Sequence, residues 1–311
     1  MRLLDLPPSR LTELGRAELL EGIRLSEGRL VVAETVVTAP PLVDGITNAE
    51  LVAAFGADLV LLNCYDCERP TIAGLPEGAG QTCRDVKALV GRPVGVNLEP
   101  SDRVPPGRRA TPANAVRAVE QGADFICLTG NPNTLVTNEG ILESLRLIKA
   151  AVGDRAFLIA GRMHAAGVGL SGCRGLITPE EAEAFVEAGA DVLLVPAPGT
   201  VPGAMVEAVS ACVQAAHRRG ALAMSAIGTS QEGADEATVR QLALNAKMAG
   251  VDLHHLGDAG YFGVAVPENI LAYCVAVKGR RHTYRRMAMS LTGLRAGADR
   301  RGAAPAAPGS L

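Results

Sequence analysis

Four times in this sequence a helical stretch ends in glycine and passes directly into an apolar run. The copies are Gly56-Ala57-Asp58-Leu59-Val60-Leu61-Leu62, Gly122-Ala123-Asp124-Phe125-Ile126-Cys127-Leu128, Gly189-Ala190-Asp191-Val192-Leu193-Leu194-Val195 and Gly250-Val251-Asp252-Leu253. Looser copies fall at Gly91-Arg92-Pro93-Val94, Gly153-Asp154-Arg155-Ala156-Phe157 and Gly220-Ala221-Leu222. Glycine suits the left-handed residue that closes a helix. The run behind it lacks polar alternation, as a strand buried on both faces must. Recurrence at roughly 30 residues is the period of helix-and-strand architecture.

The copies, with one strand ahead of them, predict eight strands: Leu30 to Val37, Asp58 to Asn63, Val94 to Glu99, Phe125 to Thr129, Phe157 to Gly161, Val192 to Pro196, Leu222 to Ala226 and Asp252 to Leu256. Eight strands, each followed by a helix, make a (β/α)8 TIM barrel, which commonly needs about 250 residues. A doubly wound open sheet also alternates strand and helix, but no GxGxxG follows the first strand. Helix starts agree with this register. Thr111-Pro112 and Thr178-Pro179-Glu180-Glu181 place a capping hydroxyl before a proline, and the second completes a capping box, with a weaker version at Thr82 and Asp85.

Around the barrel (residues 30–290) the pattern predicts an N-terminal helical extension over 1–29 and a disordered tail over 291–311. The extension carries Leu11, Leu14, Leu19, Leu20, Ile23 and Leu25 as its apolar set and would plug the N-terminal mouth or cover the side. The last helix, from Pro267 to Lys278, runs into the basic stretch Gly279-Arg280-Arg281-His282-Thr283-Tyr284-Arg285-Arg286, read as a solvated or intersubunit helix within a homo-oligomer. The longest connections, 66–81, 100–110 and 162–177, all follow strand C-termini, the face where barrel enzymes build their sites.

Composition narrows the partners. The 311 residues are 48% apolar and carry a formal net charge of −3, with aromatics at only 3%. Nothing there favours nucleic acid or an acidic membrane. No apolar run reaches the ~18 residues of a membrane span, and Asp5, Pro7 and Pro8 interrupt any signal-like core, so a cytoplasmic protein is expected. Seven scattered cysteines read as free thiols. Cys64 and Cys67 have CxxC spacing without a second pair, and a structural reading is preferred to a redox or metal role.

Polar residues collect at strand ends: Glu34; Asn63, Tyr65 and Asp66; Asn97 and Glu99; Thr129, Asn131 and Asn133; Arg162 and His164; Ser225; His254, His255 and Asp258. In a barrel these tips converge on one bowl. Glu99 and His164 are the expected proton carriers, with Glu34, His255 and Asp258 as further catalytic candidates. Asn63, Asn97, Thr129, Asn131, Arg162 and Ser225 are the expected substrate binders. The loops containing Gly228, Thr229 and Ser230, and Gly257 and Gly260, would expose N–H groups to phosphate, although Glu232 and Asp258 would repel an anion if turned inward. Neighbours on a strand face opposite ways, so only one of His254 and His255 can enter the barrel. No HxH or HExxH motif occurs, but Glu34, Glu99, Asp66, His164 and His254 or His255 form an oxygen and nitrogen set suited to Mg or Mn. All four lysines, Lys87, Lys149, Lys247 and Lys278, fall in helical segments, which argues against a Schiff-base mechanism.

Several of these segments, Gly95-Val96-Asn97-Leu98-Glu99-Pro100, Thr129-Gly130-Asn131-Pro132-Asn133-Thr134, Ala160-Gly161-Arg162-Met163-His164, Ile227-Gly228-Thr229-Ser230-Gln231-Glu232-Gly233 and His254-His255-Leu256-Gly257-Asp258-Ala259-Gly260-Tyr261, resemble an uncharacterised family of bacterial TIM-barrel proteins over roughly residues 3 to 290. Members are often labelled phosphoenolpyruvate phosphonomutase-like or haloacid dehalogenase-like. Here strand three ends Asn97-Leu98-Glu99-Pro100-Ser101-Asp102 without the paired Asp of the phosphonomutase group, and strand one offers Glu34-Thr35-Val36-Val37 and no Asp-x-Asp. The two Gly-rich loops look more like the phosphate grip of ribulose-phosphate-binding barrels.

The expected function is therefore a lyase or isomerase acting on a small phosphorylated carbonyl compound by proton abstraction and enolate stabilisation. Two alternatives stay open. One is a metal-dependent C–C or C–P lyase or mutase resembling the phosphoenolpyruvate mutase and isocitrate lyase group. The other is a non-catalytic barrel that binds a metabolite or scaffolds a partner.

Overall fold

The computed structural model describes residues 1–75, 80–131, 134–165, 176–258 and 262–289. Two short helices, α1 (Pro8–Leu11) and α2 (Arg16–Arg24), precede β1 (Leu30–Val36). The alternation then runs α3 (Asn48–Ala54), β2 (Leu59–Asn63), α4 (Cys83–Val90), β3 (Val94–Leu98), α5 (Pro112–Glu120), β4 (Phe125–Leu128), α6 (Asn138–Val152) and β5 (Phe157–Gly161). It continues α7 (Pro179–Glu187), β6 (Val192–Pro196), α8 (Val206–Arg218), β7 (Leu222–Ile227), α9 (Glu236–Ala249), β8 (Leu253–Leu256) and α10 (Pro267–Ala288). Each strand pairs in parallel with the next, and β8 returns to β1 through Leu30 opposite Leu253 and Val32 opposite His255. The ring is closed, a (β/α)8 TIM barrel, with strand limits within a residue or two of those expected.

The repeated Gly-x-Asp has a physical role in the ring. Gly56, Gly122, Gly189 and Gly250 all have positive φ, so each turns the chain out of its helix. The Asp two residues later then accepts a backbone N–H at the start of the preceding strand: Asp58 from Val31 and Asp124 from Val94 at 2.9 Å, Asp191 from Leu158 at 2.9 Å, and Asp252 from Ala223 at 2.8 Å. Each carboxylate also meets a cation or imidazole, respectively Lys278 with Arg286, Lys87, Arg16 and His217. The motif thus closes the N-terminal rim, where strand ends would otherwise carry unsatisfied donors.

Inside the ring, Leu30, Val32, Leu59, Leu61, Phe125, Phe157, Val192, Leu194, Leu222, Met224 and Leu253 form one buried cluster with Leu3, Leu4, Leu6, Leu11, Leu19 and Ile23. The extension therefore plugs the N-terminal mouth. Leu14 and Leu20 pack at its edge, while Leu25 is 40% exposed. Phe125 stacks on Phe157 with ring centroids 5.0 Å apart. Opposite strand residues face the helices in a second cluster.

The basic stretch, expected as a solvated or intersubunit helix, is exposed along Arg280, Arg281 and Arg285 but turns Arg286 inward. The helix kinks at Gly279 (φ 74°) and continues to Ala288. Arg286 is buried, donating to Asp58 at 2.8 Å and to the carbonyls of Leu3 and Leu6 at 2.7 and 3.3 Å. Lys278 reaches the same carboxylate at 2.5 Å. Burial alone would push the Asp58 carboxyl up, but Lys278 and Arg286 outweigh it and hold it below the usual range. The tail expected from 291 lies outside the described residues. Among the described residues no helix is long and apolar enough to cross a membrane.

Candidate active site

At the C-terminal end of the ring lies a cleft of about 470 Å³ lined by Glu34, Asn63, Cys64, Glu99, Arg103, Arg108, Asn131, His164, Gly228, Ser230, Glu232, Gly257 and Asp258, among others. Strand parity explains the side chains that reach it. Glu34 follows Leu30 and Val32 inward on β1, Asn63 follows Leu59 and Leu61 on β2, and Asn97 shares the inward face of β3.

Glu34 is the centre of a buried network. It accepts a hydrogen bond from Asn63 Nδ2 at 2.7 Å, and His255 Nε2 lies 3.0 Å from its other carboxylate oxygen, close but not aligned as a hydrogen bond. Asn63 Oδ1 accepts from Asn97 Nδ2 at 3.4 Å, and Asn63 Nδ2 also approaches Asn131 Oδ1 at 3.4 Å. Asn97 Oδ1, Thr129 Oγ1 and His255 Nδ1 are buried without a partner among the described residues. Thr129 follows β4 with the inward parity of Phe125 and Cys127, but it is buried and does not line the cleft.

Glu99 accepts from Arg108 Nη2 at 3.0 Å, Asn131 Nδ2 at 2.8 Å and the Asn131 backbone at 3.2 Å. Those three donors fasten the β3 and β4 tips together. His164 is 7% exposed at the cleft wall. Burial pushes its imidazole pKa below the ordinary value, with nearby Arg162 adding to that and the Glu34 charge opposing it.

Several expected binders lie elsewhere. Arg162 has outward parity on β5. Its Nη2 donates to Ala165 O at 2.8 Å, and burial depresses its pKa while Glu181 and Glu139 oppose this. It therefore sits by α6 and α7 and does not line the cleft. Ser225 is outward on β7, because Leu222, Met224 and Ala226 take the inward positions. It faces Tyr273 of α10. His254 likewise leaves the barrel, bonding Tyr273 Oη and Gly28 O at 3.0 Å each, so His255 is the ring that enters. Thr229 turns its hydroxyl to Thr200 O at 3.0 Å. Gly228, Ser230 and Gly257 do line the cleft; Gly260 and Asn133 lie outside the described residues.

Of the expected Mg or Mn ligands, Glu34, Glu99 and His164 line the cleft and His255 lies beside Glu34, while Asp66 and His254 turn elsewhere. Asp66 caps the Glu68 and Arg69 amides at 2.8 and 3.0 Å and His254 faces α10, and no group of three His, Cys, Asp or Glu among the described residues could hold a metal ion. Cys64 lines the cleft while Cys67 is buried in the outer core; both are free, and burial pushes the Cys67 thiol up to about 12. Sequence reasoning missed Arg103 and Arg108, which come from the loop after β3.

The fold and this bowl define a TIM barrel with a polar site at its C-terminal face. The chain belongs to the family described as domain of unknown function DUF7916, whose model matches residues 4–293. No curated protein matches it. The phosphonomutase label therefore finds no support. Solved structures with a similar fold include a candidate fructose-1,6-biphosphate aldolase from Coccidioides immitis, at 18% identity, TM-score 0.52, over 87% of this chain and 97% of that one. An archaeal fructose 1,6-bisphosphate aldolase aligns at 15% identity, TM-score 0.53, over 85% and 99%. A Schiff base-forming fructose-1,6-bisphosphate aldolase aligns at 15% identity, TM-score 0.50, over 86% and 98%. At this identity the likeness is one of fold.

Proposed function

We propose that the protein is an enzyme, a lyase or isomerase that abstracts a proton from a small carbonyl compound bearing an anionic group and stabilises the resulting enolate. The observation that carries this reading is the placement of Glu34, 3.0 Å from His255 and electrostatically coupled to His164, in a cleft walled by amides. His164 is the proton acceptor. Its lowered pKa keeps the ring neutral near pH 7, and the Glu34 charge favours the imidazolium that forms. Asn63, Asn97 and Asn131 supply the dipoles that a developing oxyanion needs. Glu99, saturated by Arg108 and Asn131, is a positioning residue and not the proton carrier.

An imine route is disfavoured by the lysines. Lys87 pairs with Asp124, Lys149 with Gly153 O, Lys247 with Val277 O and Lys278 with Asp58, so none faces the cleft. Schiff-base formation, the chemistry of one aldolase of similar fold, is thus not the chemistry we propose for this chain.

Proton abstraction has a direct readout. The protein is incubated in D2O with small carbonyl compounds, phosphorylated and not, and loss of the α-proton signal is followed by NMR. Exchange that is lost in His164→Ala and falls about 10²-fold in Glu34→Gln is expected. Absence of exchange with every compound, or exchange that survives both substitutions, would sink the reading.

A further inference from the structure

We infer that the anionic group of the ligand is held by Arg103 and Arg108, on the loop after β3, and not by the glycine-rich loops after β7 and β8. The inference rests on the cleft being the substrate site. Both arginines line it. Arg108 spends one N–H on Glu99 at 3.0 Å, which fixes the guanidinium and leaves its other donors without a bond among the described residues.

The loop that presents them is braced before any ligand arrives. Arg109 donates to Val104 O at 3.1 Å and Asp102 O at 3.0 Å, clasping the loop across its width. Asn114 at the start of α5 donates to Pro106 O at 2.7 Å and Arg109 O at 2.9 Å. The Glu99 amide donates to Arg108 O at 3.0 Å, and Ala110 returns a bond to Glu99 O at 2.8 Å. Arg108, tied to Glu99 on so constrained a backbone, loses little freedom on binding, and the planar fork of either guanidinium matches carboxylate or phosphate.

The opposite wall presents carboxylates to the cleft. Glu232 and Asp258 line the cleft from the loops after β7 and β8, and a Cβ added to Gly257 would stand 2.7 Å from Glu232 Oε1. A carboxylate therefore crowds the backbone that would otherwise cradle phosphate. The ligand class is a small carbonyl compound with a terminal phosphate or carboxylate, its anionic end toward β3 and away from the carboxylates after β7 and β8.

Titration of the whole protein with orthophosphate and, separately, malonate by calorimetry tests this. Each of Arg103→Gln and Arg108→Gln is expected to weaken the tighter-bound anion about tenfold, the loss of one charge-assisted hydrogen bond. Arg162→Gln should leave it unchanged. Arg103 makes no side-chain hydrogen bond among the described residues, so its variant separates anion binding from misfolding. Whichever anion binds more tightly distinguishes phosphate from carboxylate. Affinity retained in both arginine variants, or no saturable binding by the native protein, overturns the inference. If arginine replacement abolishes anion binding while no compound exchanges its α-proton, the catalytic reading falls and this site stands. The reverse pattern removes this site alone.

Discussion

His255 Nε2 stands 3.0 Å from the Glu34 carboxylate, with the two side chains 1% and 5% exposed. They come from β8 and β1, the strands whose pairing closes the ring. A carboxylate so placed lies beside the His255 ring and favours the charged form of His164. Glu34→Gln keeps an oxygen acceptor for Asn63 but removes the charge. Its α-proton exchange rate should fall by about 10²-fold with an unchanged circular dichroism spectrum, since positioned acid–base groups contribute about 10²–10⁴.

The pH dependence of exchange follows from His164. A base works when unprotonated, and burial moves this imidazole below 6.5. The rate should therefore rise with pH through a midpoint under 6.5. A midpoint above 6.5 in the NMR assay would exclude His164 as the base.

Lys278→Met tests the clasp at Asp58. It leaves the buried carboxylate with Arg286 as its remaining cation, and removal of one partner of a buried pair costs about 3 kcal/mol or more. The folded pKa of Asp58 is depressed, so its contribution is present above the unfolded value and is lost as pH falls through the folded one. Loss of Lys278 raises that folded value. Urea midpoints should be lower at pH 7, and acid unfolding should begin at higher pH than in the native protein.

Gly107→Ala reaches the anion site from behind. A Cβ there would lie 1.8 Å from Asp66 Oδ1, and Asp66 is itself engaged by the Glu68 and Arg69 amides. The loop carrying Arg108 must shift. Anion affinity measured by calorimetry should drop several-fold, while the urea midpoint falls by an amount typical of overpacking, about 1–3 kcal/mol.

The ring is legible in the sequence because its signals are local and repeated: glycine turns, doubly buried runs and Thr-capped helix starts each need few neighbours. Glu34, Asn63, Asn97 and His255 are legible for the same reason, since parity within one strand assigns them inward. The same parity counted from Phe157 and Leu222 puts Arg162 and Ser225 outside, although their place at strand tips makes them look like site residues. Arg103 and Arg108 carry no periodic signal. Their orientation comes from Arg109 and Asn114, contacts that depend on how the loop folds back on α5. The buried role of Arg286 is hidden similarly, because its partner lies 228 positions earlier in the chain.

That separation governs the order in which a nascent chain acquires its native state. Asp58 finds its two cations 220 and 228 positions downstream, and β1 finds its second strand partner in β8. Ribosomal synthesis at about 5–20 residues per second leaves the first half of the barrel with an open edge and an unneutralised carboxylate until almost all of the chain has emerged. The interval is one in which a growing polypeptide is exposed to aggregation, and in which a chaperone that shelters the exposed β1 edge has most to offer.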